Sequence, residues 1–204
     1  MRFVDVTKSY GNTVVMQGFS ADLQDGAVHC ILGPSGCGKT TFLRLVLGLE
    51  QPDQGLVEKA DDARCVAVFQ EDRLCENLSI SANIRLPHGR LDPQAREVLR
   101  FDMERLLDKV GLAGLAGRPV HALSGGMKRR VALLRAVMAP SSVIVFDEPL
   151  KGLDGETKRR VMEVLAPLLE AKTVLWVTHD PADQAYFESP YVWTMSSGAL
   201  RRRG

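Results

Sequence analysis

The chain has 204 residues, 45% hydrophobic and 25% charged, enough apolar material for one buried core and too much for intrinsic disorder. Its 26 Lys plus Arg against 25 Asp plus Glu leave a net charge of +1, which argues against a nucleic-acid coat protein, whose domain would be clearly basic. No apolar run approaches the roughly 18–20 residues that cross a bilayer, since Arg135 breaks the longest candidate, 131–139. The opening Met1-Arg2-Phe3-Val4-Asp5 lacks the apolar stretch of a secretory leader. The expectation is a small soluble domain in the cytoplasm, with any membrane role carried through partners. Cysteines at 30, 37, 65 and 75 form no Cys-x-x-Cys pair and share no ligand spacing with the histidines at 29, 88, 121 and 179. Reduced thiols, not a zinc site or a disulfide framework, are the expectation.

In chain order, the first clear element is Ala27-Val28-His29-Cys30-Ile31-Leu32, a buried-type strand. It runs into Gly33-Pro34-Ser35-Gly36-Cys37-Gly38-Lys39-Thr40, which fits G-x-x-x-x-G-K-[ST] at every fixed position. The chemistry needs these residue types. Glycines let the loop curl so that successive N–H groups point at phosphate oxygens. The helix predicted over 41–49 presents its positive end to the same charge. Lys39 reaches the β- and γ-phosphates, the Thr40 hydroxyl is a Mg²⁺ ligand, and Thr41 offers a hydroxyl to the α-phosphate. Cys37 serves as a small filler whose backbone matters. A chance glycine-rich turn is the bland alternative; a strand before and a helix after are what a phosphate loop requires.

Residues 71–139 then read as helical. Asp92-Pro93 is an N-cap with proline at the first helical position, and Val98, Leu99, Met103, Leu106, Leu107 and Val110 follow at helical spacing until Gly111. That stripe is core packing. A second strand, Ser142-Val143-Ile144-Val145-Phe146, ends in Asp147-Glu148. Asp147 is placed to hold Mg²⁺ as the strand-tip acid does in P-loop NTPases, and Glu148 to orient or deprotonate an attacking water. The alternative for such an acidic pair is a helix N-cap. From 156 to 171 a stripe of Val161, Met162, Val164, Leu165, Leu168 and Leu169 predicts another helix, kinked or ended near Ala166 by Pro167. Thr173-Val174-Leu175-Trp176-Val177-Thr178 is a third strand, ending at His179, and a further strand is expected around 191–195 after a last helix. Strands alternating with helices, each with polar residues past its carboxyl end, define an α/β fold with a mainly parallel sheet. The loop and the acidic pair together indicate nucleoside triphosphate hydrolysis.

The run Leu123-Ser124-Gly125-Gly126-Met127, followed by Lys128-Arg129-Arg130-Val131-Ala132-Leu133-Leu134-Arg135-Ala136, is a second anion-binding helix start: a cap hydroxyl and unobstructed N–H groups. One nucleotide has no use for two such sites in one chain, so the second makes sense if it serves a nucleotide held by another copy. Here the sequence closely resembles the ATPase subunits of ATP-binding cassette (ABC) transporters, whose signature is Leu-Ser-Gly-Gly-Gln; Met127 stands at the Gln position.

The resemblance implies an α/β, RecA-like P-loop NTPase fold with a mainly parallel sheet, an antiparallel β edge and an inserted helical subdomain. It implies one domain over 1–204, with a core of 1–70 and 140–204 and a helical subdomain over 71–139. It implies that Tyr10 stacks on adenine, that Gln70 touches Mg²⁺ and water, that Asp154 crosses a dimer interface, and that His179 senses the γ-phosphate. Taken singly, Tyr10 could be an edge tyrosine, Gln70 a surface glutamine and His179 a structural residue. ATP and Mg²⁺ follow as cofactors, with two chains meeting head to tail so that Ser124, Gly125 and Gly126 of one face the ATP of the other. Glu148 is then the water-activating base, with Lys39 and His179 on the γ-phosphate. The transport path lies in separate transmembrane permease subunits, with a substrate-binding protein as a further partner and no nucleic acid, and the subunit is peripheral on the inner face of the membrane.

The stretch Val68-Phe69-Gln70-Glu71-Asp72-Arg73-Leu74 resembles importers of nitrate, sulfonates or taurine, and the match fades at Cys75-Glu76-Asn77-Leu78. Lys151-Gly152 replaces the family's more frequent Ser-Ala before Leu153-Asp154. A non-transport cassette acting as a nucleotide-gated binding module is the alternative reading; a nucleotide kinase has no need of Ser124-Gly125-Gly126. The basic runs Lys128-Arg129-Arg130 and Arg201-Arg202-Arg203 read as solvated faces, or less simply as neighbours of anionic lipid. A minimal motor without a regulatory domain of its own is the expectation.

Overall fold

The computed structural model describes residues 1–60 and 63–202; Arg203, the last of the terminal arginine run, lies outside them. Two compact units are present: Met1–Ala67 with Ser141–Glu148 and Ala171–Gly204, and Val68–Pro140 with Pro149–Glu170.

The first unit contains strands β1 (Arg2–Tyr10), β2 (Thr13–Asp22), β3 (Val28–Leu32), helix α1 (Lys39–Leu47) and β4 (Gln54–Glu58). β5 (Cys65–Val68) leads out of it, and β6 (Val143–Asp147), β7 (Thr173–Thr178), β8 (Tyr191–Ser196) and β9 (Ala199–Arg202) return to it. β2-β1-β4 form an antiparallel sheet, and β5-β6-β7-β3-β8-β9 form a second sheet of six strands. In that sheet β6, β7, β3 and β8 are parallel neighbours and β9 is antiparallel to β8. All six residues of β7 are buried, as are Val143, Ile144, Val145 and Phe146 of β6. Such continuous apolar runs are what a parallel strand covered on both faces requires.

The expected order of α/β elements and the strand near 191–195 are present; the last helix is a short 3₁₀ segment, Pro181–Tyr186. Phe3 of β1, Phe19 of β2 and Phe42 of α1 pack ring on ring, with centroids 5.0–5.9 Å apart. This aromatic trio, with buried Leu43, Leu45 and Val46, locks α1 into the core and so fixes the loop before it. α1 stops at Leu47, two residues before the expected end, because Gly48 caps it by donating its N–H to the carbonyls of Arg44 and Leu45.

The second unit holds α2 (Ile80–Arg85), α3 (Pro93–Lys109), α4 (Gly125–Met138) and α5 (Gly155–Leu169). Asp92 caps α3 as its sequence predicts, accepting from the Ala95 N–H at 2.9 Å. Leu99, Met103, Leu106, Leu107 and Val110 face inward, whereas Val98, predicted in the same stripe, is 58% exposed beside Phe101 at 67%. Asn83, fully buried, holds the preceding loop: its Oδ1 accepts from the Cys75 N–H at 2.8 Å and its Nδ2 donates to the Cys75 and Ser79 carbonyls at 3.0 Å. α5 runs on to Leu169, past the stop that Pro167 predicts near Ala166. The proline falls within the last turn, where buried Leu165 and Leu169 hold the helix against the loss of one backbone donor. By compactness α5 groups with α3 and α4, although the sequence places 149–170 with the core.

Candidate active site

In the first unit the phosphate-loop residues follow β3 directly. Gly38, φ +106°, occupies backbone space closed to other residues and is the N-cap of α1. A glycine cap brings no side chain, so no side-chain acceptor occupies the first-turn N–H groups of α1. That is the arrangement an anion fills. Lys39 folds back over the loop, its Nζ donating to the Gly33 carbonyl at 2.7 Å and the Pro34 carbonyl at 2.9 Å. Pro34, Ser35, Gly36 and Thr40 are exposed, while Cys37 and Thr41 are buried. The loop rests on the β8–β9 turn: the Gly198 N–H donates to the Cys37 carbonyl at 3.1 Å.

Sheet order brings the acids to this loop. β6, β7 and β3 are successive neighbours, with Asp147 opposite Val177 and Leu32 opposite Thr178. Asp147 and Glu148, His179, and Gly33 therefore leave the carboxyl ends of three adjacent strands, about 5 Å apart per strand. Glu148 extends the ladder, its N–H donating to the Val177 carbonyl at 2.8 Å, and it does so at φ +50°. A left-handed conformation costs a non-glycine residue about 1–2 kcal/mol, and such strain concentrates at functional positions. The Glu148 carboxylate Oε2 lies 2.8 Å from His179 Nδ1; Glu148 has its side chain 14% exposed and His179 66%. An ionised carboxylate accepts only, so Nδ1 carries the proton and Nε2 is the ring's other working nitrogen. The chain after His179 is also tied down. The Asp180 N–H donates to Thr178 Oγ1 at 3.0 Å, and Trp176 Nε1–H donates to the buried Asp183 at 3.2 Å. Thr40 and Asp147 supply hard oxygen donors, the chemistry Mg²⁺ prefers when phosphate and water complete its shell.

Tyr10 ends β1, 41% exposed; its hydroxyl donates to Glu50, and Lys8 Nζ lies 5.8 Å from its ring centroid. The ring is held by its tip at the end of its strand.

The remaining candidates belong to the second unit. Ser124 is the N-cap of α4, its Oγ accepting from the Met127 N–H at 3.4 Å, so the Met at the signature's fifth position still engages the cap through its backbone. A Cβ on Gly125 would meet nothing within 4 Å, and one on Gly126 would touch Leu153 at 3.5 Å. Gln70 is exposed in the bend after β5. Asp154 caps α5: it accepts from the Thr157 N–H at 2.9 Å and the Thr157 hydroxyl at 2.7 Å, which holds its carboxyl below the usual carboxylate range.

The basic run in α4 is not the solvated face its composition suggests. Arg129 is 4% exposed, Lys128 pairs with Glu76 at 2.9 Å, and Arg130 donates to the carbonyls of Gly126 and Val110. Arg129 was recognisable from periodicity, four residues before buried Leu133 and seven before buried Ala136. At the other end of the chain, Arg201 and Arg202 are exposed on β9, and the Arg202 guanidinium lies 4.3 Å from the Tyr191 ring centroid.

A phosphate loop and a strand-tip acid pair on one parallel sheet define a P-loop nucleotide hydrolase fold, and residues 16–151 match the ABC transporter family. The chain belongs to that family. It is similar to the aliphatic sulfonates import ATP-binding protein SsuB 2 of Pseudomonas syringae pv. tomato, 38% identical over 192 residues, covering 93% of this chain and 79% of that protein. It is also similar to the Fe(3+) ions import ATP-binding protein FbpC of Photorhabdus laumondii, 35% identical over 98% of this chain and 60% of that protein. Among solved structures it matches dimers of the ATP-binding cassette MJ0796, a bacterial ABC transporter cassette. One is in a post-hydrolysis state with ADP and Pi, at TM-score 0.82 and 27% identity, covering 100% of this chain and 99% of that one. The other has TM-score 0.83 at the same identity and coverage.

Proposed function

We propose that this chain is the ATP-hydrolysing subunit of a membrane importer of a small solute. The observation that carries the reading is the Glu148 carboxylate bonded to His179 at 2.8 Å, at the ends of adjacent β6 and β7, of which β7 is the neighbour of the strand that ends in the phosphate loop. Tyr10 stacks on the base, and the N–H groups of 33–41 hold the phosphates. Lys39 exchanges the Gly33 and Pro34 carbonyls for phosphate oxygens. Thr40 and Asp147 are the residues that would hold Mg²⁺, which would supply charge neutralisation on the phosphates, and for Gln70 we carry over the role that the family resemblance implies. Glu148 takes a proton from water as the water oxygen bonds to the γ-phosphorus; the bond to the ADP oxygen breaks, and ADP and phosphate leave. His179 orients Glu148 through Nδ1 and turns Nε2 to the γ-phosphate.

Two chains act head to tail, each presenting Ser124, Gly125, Gly126 and Asp154 to the nucleotide of the other; the dimeric cassettes of the same fold support this. The resemblance of the Gln70 segment and the sulfonate-importer relatives support a solute of the sulfonate class. No helix among the described residues is long and apolar enough to cross a membrane, which fits a subunit docked from the cytoplasmic side on separate permease subunits. The test is Glu148→Gln, expected to keep ATP binding and lose turnover. Steady-state hydrolysis within about twofold of wild type would remove Glu148 as the base. Purification with native partners separates the transport role from a non-transport cassette: a multi-span protein supports transport, and a ribosomal or septal partner overturns it.

A further inference from the structure

Arg129 is a buried cation with directed partners. From α4 its Nε donates to the Pro149 carbonyl at 2.7 Å, and its Nη1 donates to the Phe69 carbonyl at 2.7 Å and to Asp72 Oδ1 at 3.0 Å. Six residues along the same helix, Arg135 donates from Nη1 to the Arg73 carbonyl at 2.9 Å and from Nη2 to the Asp72 carbonyl at 3.1 Å. The backbone is therefore fastened to α4 on both sides of Gln70, while Gln70 itself stays exposed. Pro149 is the residue directly after Glu148.

A well-packed hydrocarbon fills a buried position at least as stably as a desolvated charge, so burial alone gives no reason for an arginine here. What an aliphatic side chain cannot do is hold two separate main-chain segments on one rigid plane. A guanidinium can, because its donors form a fixed fork, whereas a lysine offers one flexible nitrogen.

We propose that Arg129 is a positioning residue: it locks the Gln70 segment and the turn after Glu148 to the signature helix, and so governs the rate of ATP turnover without setting ATP affinity. This rests on the roles proposed above for Glu148 and Gln70. Arg129 acts on the reaction through the Gln70 segment and the turn at Pro149 and reaches no substrate itself. The coupling works in both directions: a change at the start of α4, where Ser124 and the two glycines lie, reaches Gln70 and the Glu148 turn as one displacement.

The test is a double-mutant cycle on the full chain, with Arg129→Gln, Arg129→Lys and Gln70→Ala singly and combined. ATPase rates against ATP concentration, titration of a fluorescent ATP analogue, and melting temperature are read for each. Arg129→Gln and Arg129→Lys are expected to lower kcat by about tenfold or more, as sub-ångström misplacement does, with analogue affinity within about twofold of wild type. In the Gln70→Ala background the same changes are expected to cost clearly less than they do alone, because one of the two segments they act through is already impaired. An equal loss in both backgrounds, a loss that follows analogue affinity, or an unchanged kcat overturns the inference. Should Arg129→Gln fail to fold, Arg129→Lys decides, since it keeps a buried cation beside Asp72 and loses the fork. A wild-type chain that binds ATP and never hydrolyses it would overturn the functional reading instead, which keeps the two failures apart.

Discussion

Gly198→Ala tests how the far end of the chain supports the phosphate loop. Gly198 sits in the β8–β9 turn at φ +73°, and its N–H donates to the Cys37 carbonyl. A Cβ there would lie 2.0 Å from the Val15 carbonyl oxygen, 2.9 Å from its carbon and 3.0 Å from Met16 Cα. These are backbone atoms of β2, so no side-chain rotation relieves the clash.

Three costs add. A left-handed alanine costs about 1–2 kcal/mol. Forcing the strand aside costs about 1–3 kcal/mol, as overpacking does elsewhere. The strained hydrogen bond to the loop costs about 0.5–1.5 kcal/mol. The sum is roughly 2.5–6.5 kcal/mol. Gly11→Ala is the control in the same unit: φ is +57° and nothing lies within 4 Å of its Cβ, so the first cost alone applies. At about 2–4 °C per kcal/mol for a chain of this size, Gly198→Ala should lower Tm by roughly 5–25 °C and Gly11→Ala by roughly 2–8 °C. Because the loop carbonyl moves with the turn, ATP affinity should fall about tenfold in the first variant, equivalent to 1.4 kcal/mol. Equal Tm losses would refute the close-approach reasoning. A large Tm loss with full ATP affinity would refute the link to the phosphate loop.

The buried His29 makes the first unit acid-sensitive. Trp193 Nε1–H donates to its Nδ1 at 3.1 Å, and Nε2–H faces the Gln24 carbonyl at 2.9 Å, so both ring nitrogens are committed to the neutral form, and burial pushes its pKa below the ordinary 6.5. A group depressed in this way holds its full contribution above the unfolded pKa and loses it as pH falls below about 6.5, with a slope of up to about 1.4 kcal/mol per pH unit. Urea midpoints from pH 7.5 to 5 should decline for wild type and decline less for His29→Gln; parallel curves would show that His29 is not the sensor. In the second unit, Asn83→Asp replaces the Nδ2 donor with an oxygen facing the Cys75 and Ser79 carbonyls. Its cost should be about 2–4 kcal/mol at neutral pH, partly recovered on acidification as the buried carboxyl takes up a proton; a urea titration showing no loss, or a loss that deepens at low pH, would contradict this.

The parts of the candidate site that are contiguous in the chain were open to reading from sequence. The loop 33–40 needs its own glycines and the helix after it, and the acid pair 147–148 needs the apolar strand before it; both requirements are met within about ten residues. Asp92 before Pro93 and Ser124 before two glycines signal helix starts for the same reason, since a cap bonds to an amide only three positions on. Where one-dimensional pattern met packing, it was less secure. Val98 shares the helical spacing of its buried neighbours yet faces out, and the charge of Arg129 hid a position whose spacing marks it as interior.

What composition and motif determined by themselves was an α/β nucleotide hydrolase, because phosphate binding and the alternation of strand and helix are local properties of the chain, and the run from Leu123 to Met127 added the resemblance to the ABC family. Tertiary structure alone decided that Glu148 bonds to His179 across 31 residues, that His29 bonds to Trp193 across 164, and that Gly198 supports Cys37. Each of these depends on which strand lies beside which. The order β6-β7-β3-β8 places those residues side by side, and no spacing along a single strand or helix encodes it.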